Sequence, residues 1–223
     1  MREIVLDTET TGLDAEAGHR IVEVACIELM NHLPTGRVFH RYVNPERAMT
    51  AEALEIHGLD DEFLGQHPVF AAVADELIDF IGEGPLVIHN AEFDLRFLNA
   101  ELKRLERPAI ACRFTDTLSL ARRRFPGAQA SLDALCRRFA IDLTAREKHG
   151  ARLDCELLAA VYLELIGGRQ PGLDLAAGIV SQRNGHIDRP LRAPRPHAPS
   201  SEELAAHAAF LKKLTSPIWR AGE

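Results

Sequence analysis

Ile4-Val5-Leu6-Asp7-Thr8-Glu9-Thr10-Thr11-Gly12 opens on three apolar, β-favouring residues and turns abruptly polar. A short apolar run of this kind predicts a central strand that ends at Asp7. Period-two alternation sends the carboxylates of Asp7 and Glu9 to one face, about 7 Å apart along the backbone. If that strand end is poorly solvated, the two anions must share a proton or bind a cation. As solvated residues ahead of a Thr-Thr-Gly turn they need neither, and the pair alone does not choose.

Working outward, residues 21–30 alternate apolar with polar side chains, and after a turn at Pro34-Thr35-Gly36 residues 38–43 keep the same β character. Connections this short predict a three-strand antiparallel meander. From Thr50 the spacing becomes helical: Leu54, then Phe70, Val73, Ala74, Leu77, Ile78 and Ile81 recur at i, i+3 and i+4. Another apolar strand, residues 85–88, runs into His89-Asn90, and Phe93, Phe97, Leu98, Leu102 and Leu105 mark a helix that stops before Pro108. Further helices are predicted over 118–125, 132–139 and 153–166, the last closed by Gly167 and Gly168. Strands first and strands alternating with helices afterwards describe an α/β layer on a mixed sheet, ending near residue 168.

With 223 residues, 46% of them hydrophobic, the chain can bury one substantial core and carry an appendage. It has no apolar run of the ~18 residues that a membrane span needs and no signal-peptide pattern, so a soluble, cytoplasmic protein without a membrane partner is expected. Cys26, Cys112, Cys136 and Cys155 lie among apolar neighbours at spacings unlike a zinc site and read as reduced packing residues. A net charge of -7 argues against a nucleic-acid ligand unless some of the acids hold divalent cations, which invert the local electrostatics. Arg122-Arg123-Arg124 and Arg137-Arg138 either track a phosphate backbone or form a solvated helix face.

Two further places carry candidate chemistry. Asn90 and Asp94 stand at i and i+4 at a helix start, where Asn caps and the helix dipole favours an acid, so capping alone accounts for both. A strand followed by a helix N-terminus nevertheless brings Asp94 to the sheet edge at which Asp7 ends its strand. His149 and Asp154, on one continuous helix, would be roughly 140° apart. Gly150 resolves this by letting His149 sit on an inward-reaching loop ahead of the helix that carries Asp154.

Asp7-Thr8-Glu9-Thr10-Thr11-Gly12, His89-Asn90-Ala91-Glu92-Phe93-Asp94 and His149-Gly150-Ala151-Arg152-Leu153-Asp154, with Ile56-His57-Gly58 between the first two, resemble in order and spacing the motifs of the DEDDh 3′–5′ exonucleases. The resemblance covers residues 1–168. It implies a ribonuclease H-like mixed five-stranded sheet, a three-strand antiparallel meander plus parallel strands, flanked by helices and followed by a flexible C-terminal tail. It also implies two divalent ions, Mg²⁺ or Mn²⁺. Asp7 would bridge them, Glu9 and Asp154 complete one, and Asp94 support the other, while His149 takes the proton of the attacking water; an imidazole that titrates near ~6.5 suits that task. Leu13, Ile56 and His57 would surround the terminal nucleotide of a single-stranded DNA 3′ end, with Asn90 and the backbone near Thr8 and Glu9 also at the substrate.

Within that family the tail is similar to that of the epsilon, or proofreading, subunits of bacterial DNA polymerase III. Residues 189–199 hold four prolines, as in a stiff linker, and residues 200–223 open with a Ser200-Ser201-Glu202-Glu203 capping pattern and a Leu204, Ala208, Leu211 stripe. The likeness implies that residues 200–223 bind the polymerase alpha subunit through Leu204, Leu211 and the lone Trp219. It also implies that Gln170, Leu173 and Leu175, at the start of the 169–199 linker, bind the sliding clamp. An RNA-trimming exonuclease of the same fold and a catalytically inactive polymerase-stabilising subunit are the alternatives.

Overall fold

A computed structural model describes residues 1–144, 148–168 and 198–215. Contacts divide the chain into two units, Met1–Asp174 and Leu175–Glu223. Among the described residues, the first unit contains a five-stranded sheet in the order β3-β2-β1-β4-β5. Strands β1 (Arg2–Thr10), β2 (Ile21–Met30) and β3 (Leu33–Tyr42) form the antiparallel meander, β4 (Leu86–Ile88) runs parallel to β1, and β5 (Phe114–Asp116) runs parallel to β4. The mixed five-stranded sheet expected from the resemblance is present.

Three local expectations are corrected. First, β1 does not end at Asp7: Asp7 pairs with Ala25 and Glu9 with Glu23, and the ladder slips only between Glu9 and Thr10. Second, the β2–β3 turn lies at Asn31 and His32, with φ of 51° and 68°. Positive φ at both residues is what a two-residue hairpin matching the strand twist requires. Pro34-Thr35-Gly36 lies instead within β3, an edge strand that tolerates proline and an irregular register. Third, β2 has no polar face, because every residue from Ile21 to Leu29 is buried.

Helices on both sides explain that burial. On one face Ile4, Leu6, Val24 and Cys26 pack with Phe70, Val73 and Leu77 of α3 (Phe70–Ile81) and Phe97, Leu98 and Leu102 of α4 (Ala91–Arg104). On the other, Val5, Ala25, Ile27 and Val87 pack with α5 (Thr117–Arg124), α6 (Leu132–Arg138) and α7 (Ala151–Leu165). Each fully buried Leu or Phe here contributes about 1.5–3 kcal/mol of transfer free energy. The acids of β2 are buried with partners: Glu28 with Arg2 (2.7 Å) and Arg37 (2.9 Å), Glu23 with His40 (2.7 Å). Cys26, Cys136 and Cys155 are buried and Cys112 half-buried, all as thiols.

Between β3 and α3 the chain forms α1 (Ala51–His57) and α2 (Asp61–Leu64). Thr50 caps α1 by accepting the Ala53 N–H, and Gly58, at φ 75°, ends it in the left-handed conformation that glycine adopts without strain. In the second unit α8 (Ser201–Leu211) starts with the expected capping box, Ser200 and Glu203 bonding each other's backbone N–H, and none of its residues is buried. Gln170, Leu173, Leu175 and Trp219 lie outside the described residues.

Candidate active site

Strand parity places the first two acids. Residues 4, 6 and 8 face α3 and α4, whereas 5, 7 and 9 face α7, so Asp7 and Glu9 point towards the helix that carries Asp154. Thr8, between them, points the other way and donates from Oγ1 to Asp94 Oδ1 at 2.7 Å, tying β1 to the first turn of α4. Asp94 and Asp154 are buried, at 3% and 4% exposure.

This packing has an electrostatic consequence. Burial, and then the charges of Asp94, Glu9, Asp154 and Glu23, push the Asp7 carboxyl well above its ordinary range. Burial pushes Asp94 up to about 7, with the Thr8 hydrogen bond opposing the shift. Such a cluster binds protons or a cation; it does not stay fully ionised by itself. Ligand atoms of Glu9, His149 and Asp154 lie within 4.8 Å of one another. Carboxylate oxygens at this density suit a hard divalent cation, so the residues present fit one.

His149 precedes the helix and stands outside it. Its N–H donates to Ile56 O at 3.2 Å, and its Nδ1 lies 3.4 Å from Asp154 Oδ2. Gly150 is the N-cap of α7, with φ -160° and ψ 127°. The helix therefore begins too late for the 140° separation to apply, as expected. Gly150's own contribution is corrected, however: extended backbone is open to any residue, so glycine is not needed to turn His149 inward.

Two hollows flank the cluster. An open cleft of about 410 Å³ is lined by Asp7, His89, Ser131, Asp133, His149 and Asp154. A more enclosed pocket of about 250 Å³ is lined by Thr8, Glu9, Leu13, Ile56, His57 and Phe93, among others. Thr8, Leu13, Ile56 and His57 are thus brought together beside the acids, and exposed Leu13 and Ile56, at 77% and 48%, offer apolar surface to a flat ligand. His57 is buried and its Nδ1 accepts the Leu59 N–H, so the ring proton sits on Nε2; burial lowers its pKa.

Asn90 lines neither hollow. It is the N-cap of α4 at φ 68°, its side chain makes no capping bond, and its N–H donates to Asp116 Oδ1 at 3.0 Å. Sequence spacing gives Phe93 only a place in the apolar stripe of α4, and it gives Ser131 and Asp133 no role at the site. Phe93 sits at i, i+4 from Phe97 and is indistinguishable there from core, and Ser131 reads as the N-cap of α6, which it is. One arginine of each run makes local contacts, Arg124 donating to Glu164 O (2.9 Å) and Leu165 O at the end of α7 and Arg138 lying 4.5 Å over the Phe125 ring, while Arg122, Arg123 and Arg137 are exposed.

The model of the exonuclease family matches residues 4–162. The DNA polymerase III subunit epsilon of Rickettsia conorii is 47% identical over 225 residues, covering 96% of each chain. That of Escherichia coli K12 is 44% identical over 237 residues, covering 99% of this chain and 98% of the relative. Among solved structures, exonuclease X in complex with 5′ overhanging duplex DNA superposes with a TM-score of 0.58 at 26% identity, over 74% of this chain and 90% of that one. The nuclease domain of 3′hExo, a DEDDh family member bound to rAMP, shares the fold at a TM-score of 0.64 and 20% identity, over 76% of this chain and 94% of that one.

Proposed function

The chain belongs to the DEDDh exonuclease family and, within it, to the epsilon subunits of DNA polymerase III, and from that membership we propose that Asp7, Glu9, Asp94, Asp154 and His149 are the machinery of its proofreading reaction. Its activity is that of a metal-dependent 3′–5′ exonuclease associated with a replicative polymerase. The readings as an RNA-trimming enzyme or an inactive subunit are not favoured by relatives that match almost end to end. The observation that carries the assignment is the convergence of four acids from β1, α4 and α7, with His149 3.4 Å from Asp154, beside an apolar pocket.

In this reading two divalent ions, Mg²⁺ or Mn²⁺, would be held by the carboxylates of Asp7, Glu9, Asp94 and Asp154, with Asp7 shared between them. When bound they supply Lewis acidity at the scissile phosphate. The chain's own residues do the rest. Leu13 and Ile56 hold the terminal base, Phe93 extends that wall, and buried His57 closes the pocket beside them. Thr8 keeps Asp94 in place through its 2.7 Å bond. With Nδ1 of His149 turned to Asp154, Nε2 receives the proton of the attacking water.

We assign residues 1–168 to the exonuclease domain, 169–199 to a linker with the clamp peptide Gln170, Leu173 and Leu175, and 200–223 to a segment that binds the polymerase alpha subunit through Leu204, Leu211 and Trp219. Exposed Leu204 in α8 supports the last of these. Among the described residues no helix is long and apolar enough to cross a membrane, and a cytoplasmic, replisome-associated site of action follows from the role. A 5′-labelled primer with a mismatched 3′ end tests the activity: stepwise shortening with Mg²⁺, none with EDTA, and slower digestion of the matched RNA are expected. Equal digestion of RNA would move the substrate assignment to RNA.

A further inference from the structure

Glu23 is a carboxylate that the reaction outlined above does not use, and its surroundings are unusual. It stands directly opposite Glu9 in the β1–β2 ladder, so both side chains project from the same face towards the start of α7. Yet the two have different partners. Glu9 groups with His149 and Asp154. Glu23, 3% exposed, accepts the Ala151 N–H at Oε2 (3.1 Å) and faces His40 Nε2 at Oε1 (2.7 Å).

Ala151 is the first residue of α7 and is fully buried, and the N-cap, Gly150, has no side chain with which to satisfy the helix's first N–H groups. A buried helix start without a cap leaves polar groups unpaired, which is avoided almost everywhere in folded proteins. Glu23 supplies the missing cap from the neighbouring strand, its Oε2 accepting the first N–H of the helix. His40, on β3, fixes the other carboxylate oxygen. Resting on the assignment of His149 and Asp154 proposed above, we infer that Glu23 is a positioning residue for the reaction: a remote cap that sets where α7 begins and thereby holds both.

The local hydrogen bonds specify how. His149 is anchored on one side by its own N–H on Ile56 O, and on the other, two residues along, by the Ala151 N–H on Glu23. Asp154 takes its place from the first turn, its N–H donating to Gly150 O at 2.9 Å. Releasing Ala151 lets the His149–Gly150 segment and the first turn of α7 shift together relative to Asp7 and Glu9, which stay fixed in the sheet.

What matters in this account is the reach of the acceptor, not its charge, and two variants separate these. Glu23→Gln keeps an oxygen for Ala151 and turns an amide N–H to His40, whose neutral ring accepts it on Nε2 in its other tautomer; Glu23→Asp keeps the charge but withdraws it by one methylene. On a single-stranded DNA oligonucleotide with Mg²⁺, Glu23→Asp is expected to lower kcat roughly 10–100-fold, with KM within about three-fold of the parent. Glu23→Gln is expected to stay within about three-fold of the parent in both. A Cβ at position 150 meets only Glu23 Oε2 within 4 Å, at 3.9 Å, so Gly150→Ser fits and offers the same helix start a local cap at the Arg152 or Leu153 N–H. Added to Glu23→Asp, it should recover most of the lost kcat. Parent-like kcat in Glu23→Asp overturns the inference, as does Glu23→Gln falling with it, or a loss that Gly150→Ser does not repair. Asp7→Ala is assayed alongside: activity there overturns the site assignment itself, whereas an inactive Asp7→Ala with a fully active Glu23→Asp rejects only the role of Glu23.

Discussion

Asp94 is where burial bears most directly on behaviour in solution. Its carboxyl is pushed from an ordinary 3.8 to about 7, so without metal the folded protein holds a proton that the unfolded chain has released across that window. Stability then falls with rising pH, because the folded state is the one that binds more protons. The contribution is fully present below about 3.8 and is lost as the pH passes about 7. The metal-free protein should therefore lose thermal stability between pH 4 and pH 7 relative to Asp94→Asn, and Mg²⁺ should raise Tm more at pH 8 than at pH 5. Parallel Tm profiles for the parent and Asp94→Asn would contradict this. The acids themselves were legible in the sequence because three ordered motifs constrain one another, although each motif singly had a bland explanation. Phe93, Ser131 and Glu23 were not legible, because their spacing is that of a core residue, a helix cap and a strand residue, and only the fold brings them to the site.

At the scale of elements, the sheet positions everything else. Asp7, Thr8 and Glu9 are fixed by ladder pairing to β2, and that ladder depends on the helices covering both faces. Phe97 of α4 is completely buried against β1 and β4, and Phe97→Ala should cost about 3–5 kcal/mol, seen as a lower urea midpoint at unchanged m-value. A loss under 1 kcal/mol would show that α4 is not seated as described. Periodicity revealed α3, α4 and α7 because each has a long apolar stripe. It places the β2–β3 turn wrongly because Pro34-Thr35-Gly36 has stronger turn composition than Asn31-His32, yet the edge position of β3 absorbs it. It does not reveal β5, because Phe114-Thr115-Asp116 is no apolar run, unlike the equally short Leu86-Val87-Ile88 of β4, and three residues carry no period.

At the scale of the whole molecule, one chain combines a nuclease with segments proposed to hold it to a polymerase and a clamp. Two linked contacts raise the effective concentration of each at the primer end beyond what either affinity provides. Deleting residues 170–175 should weaken clamp binding while leaving hydrolysis of a free oligonucleotide intact; unchanged clamp binding would remove that contact. The charge of -7 is consistent with a nucleic-acid enzyme only if the clustered acids are neutralised by cations at work. That makes the acid cluster the centre of the account, and substituting the acid that both ion sites share tests it most directly. Hydrolysis of a 5′-labelled DNA primer should be abolished in Asp7→Ala at saturating Mg²⁺, with the native circular dichroism spectrum and urea midpoint retained, and hydrolysis at the parent rate would contradict the mechanism.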